Sequence, residues 1–173
     1  MEQLSLHSAY HPEAWKDFYV MLGGSIAALT GLLFVAFSLH LAEIGRTPHF
    51  RVRAFGNTFE LVGQLVNSAL VLTPQPVMWL GIELMLFNTF LFLFIQVRFH
   101  LAWARAHARV ELLRSSLGAV GGLLGVLGGA SLIVHFGGGL YACALGTLIM
   151  IWVVIWNAFS MMTASYADAP HSN

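Results

Sequence analysis

Arg53-Ala54-Phe55-Gly56-Asn57-Thr58-Phe59-Glu60-Leu61-Val62-Gly63-Gln64-Leu65-Val66-Asn67-Ser68 is the stretch on which the reading of the fold turns. It belongs to a segment that must otherwise cross a membrane, yet it carries Asn57, Glu60, Gln64 and Asn67. At about 100° per residue, Arg53, Asn57, Glu60, Gln64, Asn67 and Ser68 fall within one helical arc of roughly 100°. The opposite arc holds Phe55, Phe59, Val62, Val66, Ala69 and Leu70. Hydrocarbon has no water to satisfy an amide or a carboxylate, so the polar arc must face protein or a wet cavity.

The rest of the chain supplies the membrane setting. Of 173 residues, 58% are hydrophobic and 9% charged, against about 25% charged in a soluble domain. The formal net charge is zero, which argues against a nucleic-acid surface. One bundle fits this length. The single cysteine, Cys143, lies in an apolar run, so neither a disulfide framework nor a thiolate metal site is expected. The first apolar run follows Glu13, Lys16 and Asp17 rather than a basic n-region, and it reads as a retained transmembrane helix, not a signal peptide.

A span needs about 20 predominantly apolar residues, and five candidates occur, at 17–42, 54–73, 77–98, 112–134 and 139–161. The second is the least apolar because of its polar arc, which leaves four spans as the alternative. Thr73-Pro74-Gln75-Pro76 and His135-Phe136-Gly137-Gly138-Gly139 make abrupt reversals. Seven of the eight basic residues, Arg46, Arg51, Arg53, Arg98, Arg105, Arg109 and Arg114, gather around the other two connections. Those connections should be cytoplasmic. The expectation is an all-α polytopic membrane bundle, N-terminus out and C-terminus in, with a short external segment at 1–16, a single helical domain at 17–163 and a short cytoplasmic tail at 164–173. Trp15, Tyr19, Trp79 and Tyr141 near the outer ends, with Trp103, Trp156 and Tyr166 near the inner ends, fit aromatic belts.

Small residues recur at four-residue spacing in two spans. The fourth holds Gly118 and Gly122 in one row and Gly121, Gly125 and Gly129 in another; the first holds Gly23, Ala27 and Gly31, with Gly24 and Ala28 beside them. Such rows let helix backbones approach closely. Packing within one bundle and a subunit interface are both consistent with them.

Depth follows from the rise of about 1.5 Å per residue. Glu60 should lie about 9 Å inside the cytoplasmic end of its span, level with Thr30, Gly31 and Gly121. Glu83 should enter the third span from outside, near the level of Asn67 and Ser68, with Asn88 deeper and on another face. The two carboxylates then occupy different leaflets and form no catalytic pair. Arg98, Arg105 and Arg109 align at helical spacing, followed by Glu111 and Arg114; they read as a solvated positive-inside determinant, or alternatively as a contact for anionic headgroups. The histidines number eight, but His40, His100 and His135 fall at span ends and His7 and His11 in the N-terminal tail. A haem between facing histidines is not expected from such positions, nor is a metal or any other cofactor.

Two resemblances add to this. Phe18 to Leu41, with its aromatic start, Gly23-Gly24, the run Ala27-Ala28-Leu29-Thr30-Gly31-Leu32-Leu33-Phe34-Val35-Ala36 and the Ser38-Leu39 ending, resembles the opening of small bacterial membrane proteins of no established activity. That likeness extends to the arginine-rich loop and to Leu72-Thr73-Pro74-Gln75, and implies a bacterial inner-membrane location. Arg53, Asn57 and Glu60 also resemble the R-x-x-x-N-x-x-E signature of the MAPEG membrane glutathione and eicosanoid enzymes, trimers of four-helix subunits with an external N-terminus. In that family these residues contribute to glutathione binding and the bundle interface. The fifth span, the absence of a proline soon after Glu60 and the absence of a later Arg/Tyr motif depart from it.

The function expected from these residues is that of a small oligomeric membrane protein whose second helix lines a polar path or pocket, channel- or transporter-like and not catalytic. Asn57, Glu60, Gln64, Asn67 and Ser68 would line it, with Arg53, Thr30 and Glu83 as secondary polar groups. Its partners would be the bilayer, further copies of itself, and an ion or small polar ligand. An accessory protein that binds a partner helix and a MAPEG-like glutathione enzyme are the alternatives.

Overall fold

The computed structural model describes residues 8–39, 48–103 and 109–167. Among these, a 3₁₀ turn at Pro12–Trp15 leads into five helices: α1 (Lys16–Leu39), α2 (Pro48–Leu72), α3 (Val77–Trp103), α4 (Arg109–Val134) and α5 (Gly139–Ala167). No strand occurs among the described residues. The helices hold 24 to 29 residues each. The shortest is therefore about 36 Å long, more than the roughly 30 Å of a hydrocarbon core. Four of them, α1 with its preceding turn, α3, α4 and α5, are long and apolar enough to cross a membrane. The chain is a multi-pass membrane protein. By length α2 matches its neighbours, but its polar residues keep it from passing on composition alone. It begins at Pro48 rather than Ala54, so Arg51 and Arg53 lie within the helix and not in the loop.

Packing shows how α2 is accommodated. It contacts α1, α3 and α5, while α4 contacts α3 and α5. Helices α2, α3, α4 and α5 thus form a diamond in cross-section, with α2 and α4 facing across it and α1 packed chiefly on α2. The polar arc of α2 turns into the diamond. Phe55, Val62, Val66 and Ala69 on its other side are exposed. An isolated segment of this composition would strand its amides in lipid, whereas inside the diamond its neighbours supply partners.

Glycines set the distances across the diamond. A Cβ on Gly129 would stand 2.5 Å from the Met85 amide nitrogen and 2.8 Å from Met85 Cα, so α3 and α4 touch through their backbones. Gly122 and Gly125 face Phe92 and Asn88 on the same side of α4; Gly121 faces Met150 and the Gly146 carbonyl of α5. Gly23 packs on Ser68: a Cβ on Gly23 would lie 3.4 Å from Ser68 Cβ. Gly31 and Gly118 stand clear, with nothing within 4 Å. Spacing put them in the same packing rows as the others, but each points past the neighbouring helix. The Gly24, Ala27, Ala28 and Gly31 face of α1 is exposed.

One end of the bundle is tied down by the segment before α1. The Ala9 carbonyl accepts from Leu140 N at 3.0 Å, and Tyr10 Oη accepts from Gly138 N at 3.1 Å. Trp15 packs edge-on against Tyr141, with centroids 4.6 Å apart. The α4–α5 reversal relies on left-handed backbone at Gly137 (φ 89°) and Gly138 (φ 91°), where a side chain would be strained. Ser131 Oγ closes it, donating to the Phe136 carbonyl and accepting from Gly139 N at 2.8 Å. At the α2–α3 reversal, Thr73 Oγ1 donates to the Ala69 carbonyl and Gln75 Nε2 to the Leu70 carbonyl, satisfying orphan acceptors of the α2 C-terminus.

Candidate polar site within the helix bundle

All five residues expected to line the inner face of α2 are buried there: Asn57, Glu60, Gln64, Asn67 and Ser68 are each 6% exposed or less. In the half nearer the α2–α3 reversal they form a connected network. Ser68 Oγ donates back to the Gln64 carbonyl at 3.1 Å, the usual intrahelical solution for a serine in an apolar helix. Asn67 Nδ2 donates to Gln64 Oε1 at 3.2 Å and to Asn88 Oδ1 at 3.0 Å. Asn88 Nδ2 returns a bond to Asn67 Oδ1 at 3.1 Å and gives its second to the Leu84 carbonyl at 2.8 Å. Two amides on neighbouring helices therefore exchange reciprocal bonds, as a backbone pair does in a sheet.

Gly125 makes room for this pair. A Cβ there would lie 2.6 Å from Asn88 Oδ1, so the bare α4 backbone forms the notch that receives the amide. Beside the cluster is a cavity of about 10 Å³, lined by residues that include Tyr19, Gln64, Asn67, Asn88, Cys143 and Thr147. A single water needs about that much space.

The other half is not satisfied in the same way. Glu60 Oε1 and Asn57 Nδ2 are buried and have no hydrogen-bond partner. They sit one turn apart on the same face, one acceptor and one donor. A buried polar atom without a partner is rare in a folded protein and calls for an explanation, such as a water, an ion or a conformational role.

Near the end of the bundle opposite the α2–α3 reversal, Arg114 of α4 is buried, with its guanidinium 5.3 Å from the Trp156 ring centroid. Its Nη1 donates to Asn157 Oδ1 at 3.3 Å and its Nη2 to Ser160 Oγ at 2.5 Å. The sequence reading put Arg114 on a solvated face. It lies instead between α4 and α5, because Asn157 and Ser160, three residues apart on α5, offer oxygens at the height of its head group. Arg105, the middle of that arginine row, lies outside the described residues.

Two other expectations are corrected. Glu83 is not level with Asn67 but nearer the α2–α3 reversal, where its Oε2 accepts from Gln75 Nε2 at 2.8 Å. The residue of α3 level with Asn67 is Asn88, and antiparallel packing of α2 and α3 fixes that register. Gly121 is not level with Glu60; it lines the cavity with Gln64 and Asn67, about one turn further out. Thr30 is half-buried on α1, its hydroxyl donating to the Ile26 carbonyl at 2.8 Å. Arg53 belongs to the second turn of α2.

Spacing along α3 gives Asn88 no part in the α2 cluster, and nothing in the sequence marks Tyr19 or Thr147 as residues of the cavity wall. A lone amide in the run from Leu84 to Leu91, where Thr89 is the one other polar residue, is a readable sign of a buried partner. Among the described residues, no group of three or more His, Cys, Asp or Glu side chains is placed to hold a metal ion. No protein-family model, curated protein or solved structure matches this chain.

Proposed function

We propose that this is an N-out, C-in protein of a bacterial inner membrane in which the inner face of α2 forms a path for a proton or small cation. The observation that carries the reading is the inner half of the face. Glu60 and Asn57 each bury a polar atom with no partner, directly below a hydrogen-bonded amide cluster that opens onto a cavity. Structural glue alone favours complete satisfaction of such groups. An intramembrane carboxylate left with an open lone pair has the capacity to take up a proton or cation and release it. The water-sized cavity matches a small charge carrier rather than an organic solute. The bundle is closed at the Asn67–Asn88 level, so passage requires those amides to part, as in a gated path.

Flux into proteoliposomes tests this. Purified protein should dissipate an imposed pH or cation gradient, and Glu60→Gln should reduce the rate at least tenfold while leaving the fold intact by circular dichroism. Wild-type vesicles no leakier than empty ones, for protons, Na⁺ and K⁺ alike, would refute the reading.

A second reading, an accessory or self-associating membrane protein, draws on α1. Its exposed face of Gly24, Ala27, Ala28 and Gly31 has the small-residue spacing that lets helices meet closely. The inner face of α2 is already covered by α3 and α5, so a partner helix or a further copy of the chain would dock on α1. Crosslinking through cysteines placed at Ala27 or Ala28, in a Cys143→Ser background, distinguishes this reading.

A further inference from the structure

We infer that the cavity at the centre of the bundle is a binding site for one water molecule, which joins the hydroxyl of Tyr19 to the amide cluster of α2 and α3. Tyr19 is 1% exposed, and its hydroxyl has no hydrogen-bond partner. It belongs to α1, the outermost helix, yet it lines the same cavity as Gln64, Asn67, Asn88 and Thr147. A buried tyrosine hydroxyl ordinarily finds a partner, and no protein group supplies one here. The wall offers what a water requires: oxygens that accept, and hydroxyl and amide groups that donate, from four different helices. The Asn67 and Asn88 carbonyl oxygens each accept one bond in the reciprocal pair, which leaves each a second lone pair. The cavity volume of about 10 Å³ suits one water.

The consequence is mechanical. α1 packs chiefly against α2, and its outer face is unpartnered. A water held between Tyr19 and the amides links α1 to the diamond by polar contact at the depth of the Asn67–Asn88 pair. This inference stands whether or not the α2 face conducts.

The test is a structure of the full chain in a lipid nanodisc at a resolution where other buried waters are visible, together with the same structure of Tyr19→Phe. Expected is one ordered water within hydrogen-bond distance of the Tyr19 hydroxyl and of at least one of Gln64, Asn67, Asn88 or Thr147, lost in Tyr19→Phe. An empty wild-type cavity overturns the inference. So does a water that persists unchanged in Tyr19→Phe, because Tyr19 is then not its ligand. Should Tyr19→Phe fail to fold, water-to-amide magnetisation transfer onto the Asn67 and Asn88 side-chain NH₂ groups of the wild type gives an independent answer. Transfer that falls at least twofold in Thr147→Val supports the site, and its absence in the wild type refutes it.

Discussion

Replacing Asn67 and Asn88 by alanine, singly and together, asks whether the amide pair holds α2 to α3. The two bonds between them measure 3.0 and 3.1 Å. Interhelical hydrogen bonds in membranes average about 0.6 kcal/mol and reach about 1.7, so the reciprocal pair should contribute a coupling of about 1–3 kcal/mol. Each single substitution should cost more than its share, because it leaves the opposite amide buried and short of partners, at about 1–3 kcal/mol. The second substitution then removes that penalty, so the double mutant should be less destabilised than the sum of the singles. Gly125→Ala supplies a third arm. Its Cβ would lie 2.6 Å from Asn88 Oδ1, so it should destabilise the wild type but have much less effect beside Asn88→Ala. The assay is reversible unfolding in bicelles by steric trapping or denaturant, with all variants compared in the same lipid. A coupling between Asn67 and Asn88 under about 0.3 kcal/mol, the range in which independent sites simply add, would refute the assignment.

Gly129→Ala must push a methyl into the Met85 backbone, which cannot rotate away; it should lower stability by about 2 kcal/mol or more, whereas Gly118→Ala, with open space around it, should stay within about 0.5 kcal/mol of wild type. Thermal melts in detergent would rank the two, and equal losses would show that the α3–α4 approach is not as close as described. Arg114→Met removes both bonds to α5 and should lower stability by about 2 kcal/mol, an effect that a solvated surface arginine would not show. In a Cys143→Ser background, Gln75→Cys and Phe136→Cys should react with an impermeant maleimide added outside intact cells, while Ala104→Cys should react only after permeabilisation. The reverse pattern would invert the proposed orientation.

How much of this was legible beforehand follows from what a helix does to its own residues. The division of α2 into a polar arc and an apolar arc needs only the helical period and the absence of water in hydrocarbon, and the buried and exposed residues divide along that line. The two reversals were legible for the same kind of reason, since proline and glycine act on the local backbone. Register between helices is a different matter. That Asn88, and not Glu83, meets Asn67 depends on how far α3 slides along α2, which no residue of either helix encodes alone. The glycine rows show the same limit: Gly118 and Gly129 are alike in spacing, but one faces open space and the other the Met85 backbone.

Arg114 makes the point with a charge. Counting arginines places it at the cytoplasmic end of its span, and that count is blind to Asn157 and Ser160, more than forty residues away in the chain. The sequence by itself determined that the chain is helical, that it belongs in a bilayer and which face of α2 turns inward. Each of these rests on side-chain solvation along a single helix. Tertiary structure decided which amides pair, which glycines admit a neighbour, where the cavity opens and that Glu60 and Asn57 are left with unmet polar atoms. Those depend on the rotation and height of one helix against another, set by the summed packing of the whole bundle.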